Sequence, residues 1–385
     1  MEEDIISLNC ERTEVEIGDE KFHAKIIDAP SCHSDDEESL MTKSDNQRSG
    51  ITNLKYTLPS GSLIDTHCHL EFIKKRLRRD VSLAECMTLD GEELGDVFGG
   101  AIVNFCQPSE WSGGGGGDEV SSLLRDSAED PRVGITIGCH PHFAAQMSEA
   151  RWGQMERLAA CPSPEIPWLR IVAVGECGLD YSWKNNVPEH IQQDVFARQL
   201  KLAMEHNLPL VLHIRNAEKD GIKVLDSAGV PASYPMHRHC FGGNWQDAKD
   251  WMARYPASKI GVTNMITKTR AVDTREVVAK IPLEKLLLET DAPYFLPAHV
   301  FGSSRHRSCS FPGHVIHVAA EVAAIKGIPL VDVVKANLSN SKEIYNLFFK
   351  KRTIGKDNVK MRQRHRRYRT QEIERNEAEA KKPKL

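Results

Sequence analysis

The sequence is short of the features that mark several protein classes. Its ten cysteines are scattered, with no CxxC pair and no compact framework, which argues against a disulfide scaffold or a zinc ribbon. The opening MEEDIISLNC is acidic and has no apolar signal core, and no later apolar run approaches the roughly 20 residues that span a bilayer. No membrane partner is expected, and an intracellular protein with reduced thiols is. The first 60 residues show little sustained periodicity. They include polar acidic stretches such as Ser34 to Ser39 and read as a mostly disordered extension, with one candidate hairpin from Glu14 to Asp28.

What is present is ordinary in amount and uneven in placement. Hydrophobic residues at 40% and charged residues at 27% suit a soluble globular chain of 385 residues, long enough for one large domain of about 250 residues with extensions or for two smaller domains. The net charge of −4 hides an asymmetry. From Lys350 to Leu385 fourteen Lys and Arg face five Asp and Glu, a net of +9, so the remainder carries −13. The tail holds KKR, RQRHRRYR and KKPK, a pattern that serves nuclear import or nonspecific phosphate binding. A nuclear protein, with a cytoplasmic pool, is the expectation. The organisation read from these shifts is an acidic extension over 1–60, a barrel domain over 61–350 and a basic tail over 351–385.

From Gly61 a rhythm of short apolar strands and helical segments begins. The strands expected are Leu63 to Asp65, Ala101 to Phe105, Gly134 to Ile137, Ile171 to Gly175, Leu210 to His213, Met236 to His239, Ile260 to Thr263 and Leu286 to Glu289. Eight strands alternating with helices imply parallel pairing and right-handed crossovers, hence an α/β fold of the closed TIM-type (β/α)8 kind. An open doubly wound sheet is the competing architecture, but no Gly-rich phosphate loop follows the first strand. The segment Glu189 to His206 shows the clearest helical pattern, with Ile191, Val195, Leu200, Leu202 and Met204 on an apolar side and Gln193, Arg198 and Lys201 on a polar one. The run Gly113 to Gly117 cannot hold a helix and marks an insertion after the second strand.

Chemistry in such a barrel gathers where the strands end. His67 and His69 close the first strand, two residues apart and therefore on one side of extended backbone. The fourth strand delivers Glu176, the fifth His213, the sixth His239 and the eighth Asp291. Four imidazoles and two carboxylates exceed what one tetrahedral ion needs, so two divalent ions about 3.5 to 4 Å apart are expected, with Glu176 as the natural bridge. A nitrogen-rich set favours Zn, Mn or Co, while substrate phosphate and water can complete a Mg site.

The segments THCHL, GCHPHF, GECGLDY, His213 to Arg215, HCFGG and ETDAPYFLP follow the order of the signature segments of the TatD-type metal-dependent deoxyribonucleases, which this sequence resembles from about Ile64 to Phe349. Within that family it is most similar to animal TatD domain-containing members carrying HRHCF and ETDAPYFLP. The resemblance implies a TIM-type barrel, hydrolysis of phosphodiester bonds from a 3' end, and His67, His69, Glu176, His213, His239 and Asp291 as metal ligands. It departs where many members carry Asn-Glu-Pro and this chain reads SRHRSCSFPGHV from Ser304 to Val315, so no substrate contact carries over there.

On this reading Asp291 serves as base and ligand, and Glu176 shares the catalytic role. His140, His142 and Arg215 are candidate phosphate contacts, and Glu289 faces inward behind the ligands. Cys68, Cys177 and Cys240 each follow a ligand, and strand alternation turns them outward against the helices. The ligand position on the sixth strand falls to His239 in preference to His237. The function expected is a two-metal 3'-5' exonuclease, a monomer acting on single-stranded DNA or RNA. An amidohydrolase of small amides or esters and a catalytically silent nucleic-acid-binding protein are the alternatives.

Overall fold

Eight short runs of apolar residues, buried on both faces, are what a parallel sheet wrapped by helices demands of its strands. The computed structural model describes residues 58–78, 81–89, 94–111, 120–162, 169–298 and 309–346. The candidate hairpin at Glu14 to Asp28, the Gly113 to Gly117 run and the basic tail lie outside them. The strands are β1 (Leu63–Cys68), β2 (Phe98–Phe105), β3 (Val133–Ile137), β4 (Ile171–Asp180), β5 (Leu210–Arg215), β6 (Met236–Arg238), β7 (Lys259–Val262) and β8 (Leu286–Leu288). They pair in sequence order, every neighbour parallel. Among the described residues the α-helices are α1 (Leu70–Leu77), α2 (Leu83–Leu89), α3 (Ser122–Glu129), α4 (Glu149–Ala159), α5 (Glu189–Glu205), α6 (Glu218–Ser227), α7 (Trp245–Arg254), α8 (Val272–Lys280), α9 (Val315–Lys326) and α10 (Leu330–Tyr345). The expected TIM-type barrel is what the chain forms, and each of the eight expected strands is found.

Closure between β8 and β1 rests on side chains as much as on the ladder. β1 meets the chain just past β8 in one isolated bridge, Cys68 with Ala292, and Thr66 Oγ1 donates to the Leu288 carbonyl at 2.9 Å. Asn337 of α10 spans the gap. Its Nδ2 donates to the Ile64 carbonyl at 2.8 Å and its Oδ1 accepts from the Leu288 amide at 2.9 Å. Two backbone groups that a ladder would have paired are thereby satisfied inside a dry seam.

The amino ends of the strands are filled by a small apolar cluster. Ile102, Val172, Ala173, Val211 and Leu287 meet Ile344 and Tyr345 from the end of α10. The larger core lies between the sheet and the outer helices and contains Cys68 and Cys177, as strand alternation requires. Cys240 differs from the expectation. β6 ends at Arg238, and Cys240 has a φ of 46°, so the alternation that would turn it toward the helices stops before reaching it.

On α5 the buried face runs through Gln192, Phe196, Gln199, Leu200, Leu202 and Ala203, displaced from the purely apolar stripe expected through Ile191, Val195 and Met204. The reason is hydrogen bonding. Gln192 Oε1 accepts from the Asp180 amide at 2.9 Å, and Gln199 bonds both the amide and the carbonyl of Cys139 at 2.7 and 3.1 Å. Two glutamines thus tie the helix to the carboxyl ends of β3 and β4, where the ladder no longer supplies partners.

Candidate metal centre

Each candidate ligand is placed by the end of a strand. β1 stops at Cys68, and His69 is the first residue beyond it, still extended at φ −126° and ψ 97°, at the start of α1. The extended backbone keeps the two imidazoles on one side, with their Nε2 atoms 3.0 Å apart. Glu176 stands on β4 between Gly175 and Gly178, at φ +149° and +146°. A Cβ at Gly175 would lie 2.5 Å from the Val211 carbonyl oxygen, and one at Gly178 would overlap that of His213, so the glycines let β4 and β5 approach. Asp291, at φ 52°, begins the loop after β8, and its amide donates to the His67 carbonyl at 2.9 Å.

The six groups converge around Glu176, and its two oxygens face different partners. Oε2 lies 3.4 Å from His67 Nε2 and 3.3 Å from His69 Nε2, with Asp291 Oδ1 3.3 Å from His69 Nε2. Oε1 lies 2.7 Å from His213 Nδ1 and 3.0 Å from His239 Nε2. His140 joins the second group at 3.5 Å, closer to the ligands than its place in the loop after β3 suggested.

The nitrogens facing away from this centre meet acceptors. His69 Nδ1 is 3.0 Å from the Asn104 carbonyl oxygen, His213 Nε2 is 3.3 Å from Asp180 Oδ2, and His239 Nδ1 is 3.4 Å from Glu289 Oε1. An outward N–H held by a carbonyl or carboxylate fixes the tautomer that leaves the inner nitrogen free to bind a cation. His67 is backed differently, stacked on the His239 ring at 3.8 Å. These donors fit divalent ions: the buried triads His67–Glu176–His239 and His67–His69–Asp291 each bring three ligand atoms within 4.8 Å of one another.

Electrostatics sharpen the picture. Burial opposes ionisation of Glu176, but His239, His140 and His213 outweigh it and hold the carboxyl well below the usual range. Burial and the neighbouring His239 push His67 down to about 4. His239 goes the other way, to about 10, because Glu176 and Glu289 overcome its desolvation. Burial likewise holds His140 well below the ordinary imidazole value.

The structure adds residues that the sequence did not single out. Asp180, at the end of β4, accepts from His142 Nε2 at 3.0 Å as well as facing His213, so one carboxylate anchors two imidazoles. His142 is left with only Nδ1 for a phosphate. Cys106, after β2, brings its Sγ within 3.8 Å of His69 Nδ1. His237 lies deeper than His239, with Nε2 2.9 Å from Glu289 Oε2 and Nδ1 2.6 Å from the Tyr345 hydroxyl. Glu289 is buried behind the ligands, as expected, and Arg215 is exposed at the end of β5.

Comparison with known proteins names this arrangement. The family model described as TatD related DNase matches residues 64–346, which contain the whole barrel and all six converging groups. The chain belongs to the TatD-related DNase family. Its barrel is therefore that of a metal-dependent phosphodiester hydrolase. The human 3'-5' RNA nuclease TATDN2 is 34% identical over 298 residues, 77% of this chain but 36% of that protein, so the chain spans about a third of that relative's length. The 3'-5' ssDNA/RNA exonuclease TatD of Escherichia coli K12 is 31% identical over 217 residues, covering 56% of this chain and 78% of the enzyme. Among solved structures, the E. coli TatD homologue YjjV superposes with a TM-score of 0.58 at 26% identity, over 74% of this chain and 99% of its own.

Proposed function

We propose that the protein is a 3'-5' exonuclease of single-stranded DNA or RNA whose site holds two divalent ions. The observation that carries the two-ion reading is the division of Glu176, one oxygen toward His67 and His69 and the other toward His213 and His239. A carboxylate placed so can bridge. The polarity and the single-stranded substrate draw support from the printed activities of the human and E. coli relatives. Family membership favours this reading over an amidohydrolase or a silent binding protein.

When bound, such ions neutralise phosphodiester charge and make water a better nucleophile at neutral pH. The chain's own groups do the rest. Asp291, at the open edge of the cluster, accepts the proton of the attacking water. His140 Nδ1 accepts from the His142 amide at 3.1 Å, so in the neutral ring Nε2 carries the hydrogen and can donate it to a phosphate oxygen. Arg215 offers a planar fork suited to a second oxygen. Asp180 keeps His213 and His142 in position. In-line attack would release a 5'-mononucleotide and leave a 3' hydroxyl on the shortened strand.

The test is a time course on 5'-labelled single-stranded DNA and RNA with Mg, Mn or Zn, comparing the native chain with Glu176→Ala. A ladder that shortens from the 3' end and disappears in the variant is expected. Inertness with every metal, or equal cleavage by the variant, would overturn the proposal.

A further inference from the structure

Three aromatic rings stand against the mouth of the cluster, and no role assigned above uses them. Phe72, in the first turn of α1, lies 4.8 Å from the ring of His69. Phe143, in the 3-10 turn Pro141–Gln146, lies 6.1 Å from the ring of His140. The two phenyl rings are 6.5 Å apart, and Tyr294, from the loop after β8, is 6.3 Å from Phe72. His69 and His140 both face Glu176, so the aromatic surface is continuous with the reacting centre.

Packing does not account for all three. Phe143 leans on the main core, whereas Phe72 and Tyr294 are not among the side chains that do. Tyr294 is 42% exposed. Among the described residues the exposed large hydrophobic side chains are Trp183, Val272 and Tyr294, and of these Tyr294 adjoins the rings beside the site. Apolar surface is therefore left in water on the face that carries the site, where it is costly unless something covers it.

The charges beside the rings indicate what does. Lys75 Nζ lies 5.2 Å from the Phe72 centroid, where it also pairs with Glu110 at 3.0 Å, and the Arg76 guanidinium lies 5.8 Å from the centroid of Tyr294. A ligand matching this surface has a flat aromatic part next to an anionic one. An unpaired nucleotide is such a ligand, its base against the rings and its backbone phosphates toward the cations.

We infer that Phe72, Phe143 and Tyr294 seat an unpaired base adjoining the scissile phosphate, so that the enzyme reads a base as well as a phosphodiester. The inference rests on the nuclease reading and specifies the substrate within it. A paired terminus cannot offer its base to the rings without opening, so the seat also selects for single strands. Stacking on one base changes apparent affinity by about 5- to 150-fold.

The experiment uses oligonucleotides that carry an abasic unit at the terminal or the penultimate position of the 3' end, with kcat and KM measured separately. The native protein should lose at least about 5-fold in kcat/KM at one of the two positions, chiefly through KM. Phe143→Ala should lower kcat/KM on the intact strand by a similar factor and lower it less on the abasic strand. Phe143→Leu keeps the apolar contact with the core and should behave as Phe143→Ala does, whereas Phe143→Tyr should restore the discrimination. A 2-aminopurine at the discriminating position of a phosphorothioate-blocked strand should be quenched on binding to the native protein and less quenched with Phe143→Leu. Shortening of intact and abasic strands at equal rates would overturn the base seat and leave the nuclease standing. If no strand is shortened and no quenching occurs, both fall.

Discussion

Asp180 offers the sharpest way to ask whether the geometry around Glu176 is a working site. Its Oδ2 meets His142 Nε2 at 3.0 Å and His213 Nε2 at 3.3 Å, and its Oδ1 accepts from the Ser182 amide at 2.8 Å. Burial opposes its charge, yet the two imidazoles hold the carboxyl far below the usual range. In return Asp180, with Glu176, raises His213 against the cost of its own burial. Asp180→Asn keeps volume and shape and removes the charge. An amide still able to accept from Ser182 must then present its NH2 to both imidazole N–H groups, so His213 loses its outer anchor. A hydrogen bond to a charged group contributes about 1.5–3 kcal/mol, and loss of an orienting partner behind a metal-binding histidine lowers metal affinity or activity by about 10–100-fold. The expected result is a roughly 10–100-fold fall in kcat/KM on single-stranded oligonucleotides, partly recovered by raising the metal concentration. The same fall should appear in a His142→Ala background, since it acts through His213. Unaltered metal affinity together with unaltered kcat in Asp180→Asn would refute the reasoning.

Other outcomes follow from the same structure. Asn337→Ala strands the Ile64 carbonyl and the Leu288 amide in the seam, at about 1–3 kcal/mol for each buried group; urea unfolding should show a loss of about 2–6 kcal/mol, and a loss below about 1 would mean that other groups close the seam. Elemental analysis of the purified protein should find two divalent ions per chain, and the double variant His213→Ala, His239→Ala should retain one. A variant count equal to the native one would remove those histidines from the ligand set. Deleting residues after Lys350 should move the protein from nucleus to cytosol and flatten the salt dependence of strand binding; unchanged distribution would separate the basic tail from import.

The barrel was legible because each of its strands is a short apolar run fixed by local composition. The metal centre was legible for a related reason, since chemistry at strand ends recurs at one phase of the repeat. What escaped the sequence depends on contacts across elements. Asp180 looks like any carboxylate that ends a strand, and its role appears only when β5 and the turn after β3 bring His213 and His142 to it. The environment of His237 joins residues 108 positions apart through the Tyr345 hydroxyl, a distance that no local pattern encodes. Gln192 and Gln199 broke the expected stripe on α5 because buried polar side chains can serve as backbone partners where a ladder ends. Cys240 left the alternation because a positive φ resets the direction of the side chain.

The weakest junction of the sheet is also the place where the first metal-binding lobe is assembled, and the two facts have one cause. β1 meets the chain past β8 in one isolated bridge, at Ala292, so the chain around this junction is held by specific bonds. Thr290 donates its amide and hydroxyl to Asp65 at 2.9 and 2.6 Å, the Asp291 amide donates to the His67 carbonyl at 2.9 Å, and the His69 amide donates to the Ala292 carbonyl at 2.8 Å. These are the contacts that close the barrel, and they also set Asp291 beside His67 and His69. The seam cannot form with the ligands apart, nor can the ligands meet with the seam open. Cations bridging those same groups would therefore stabilise closure by mass action, as any ligand of the folded state does. Chelation should accordingly lower the thermal midpoint of the native chain. Asn337→Ala should be rescued in part by added metal, and a shift no larger than that seen in Glu176→Ala would break the link between closure and binding.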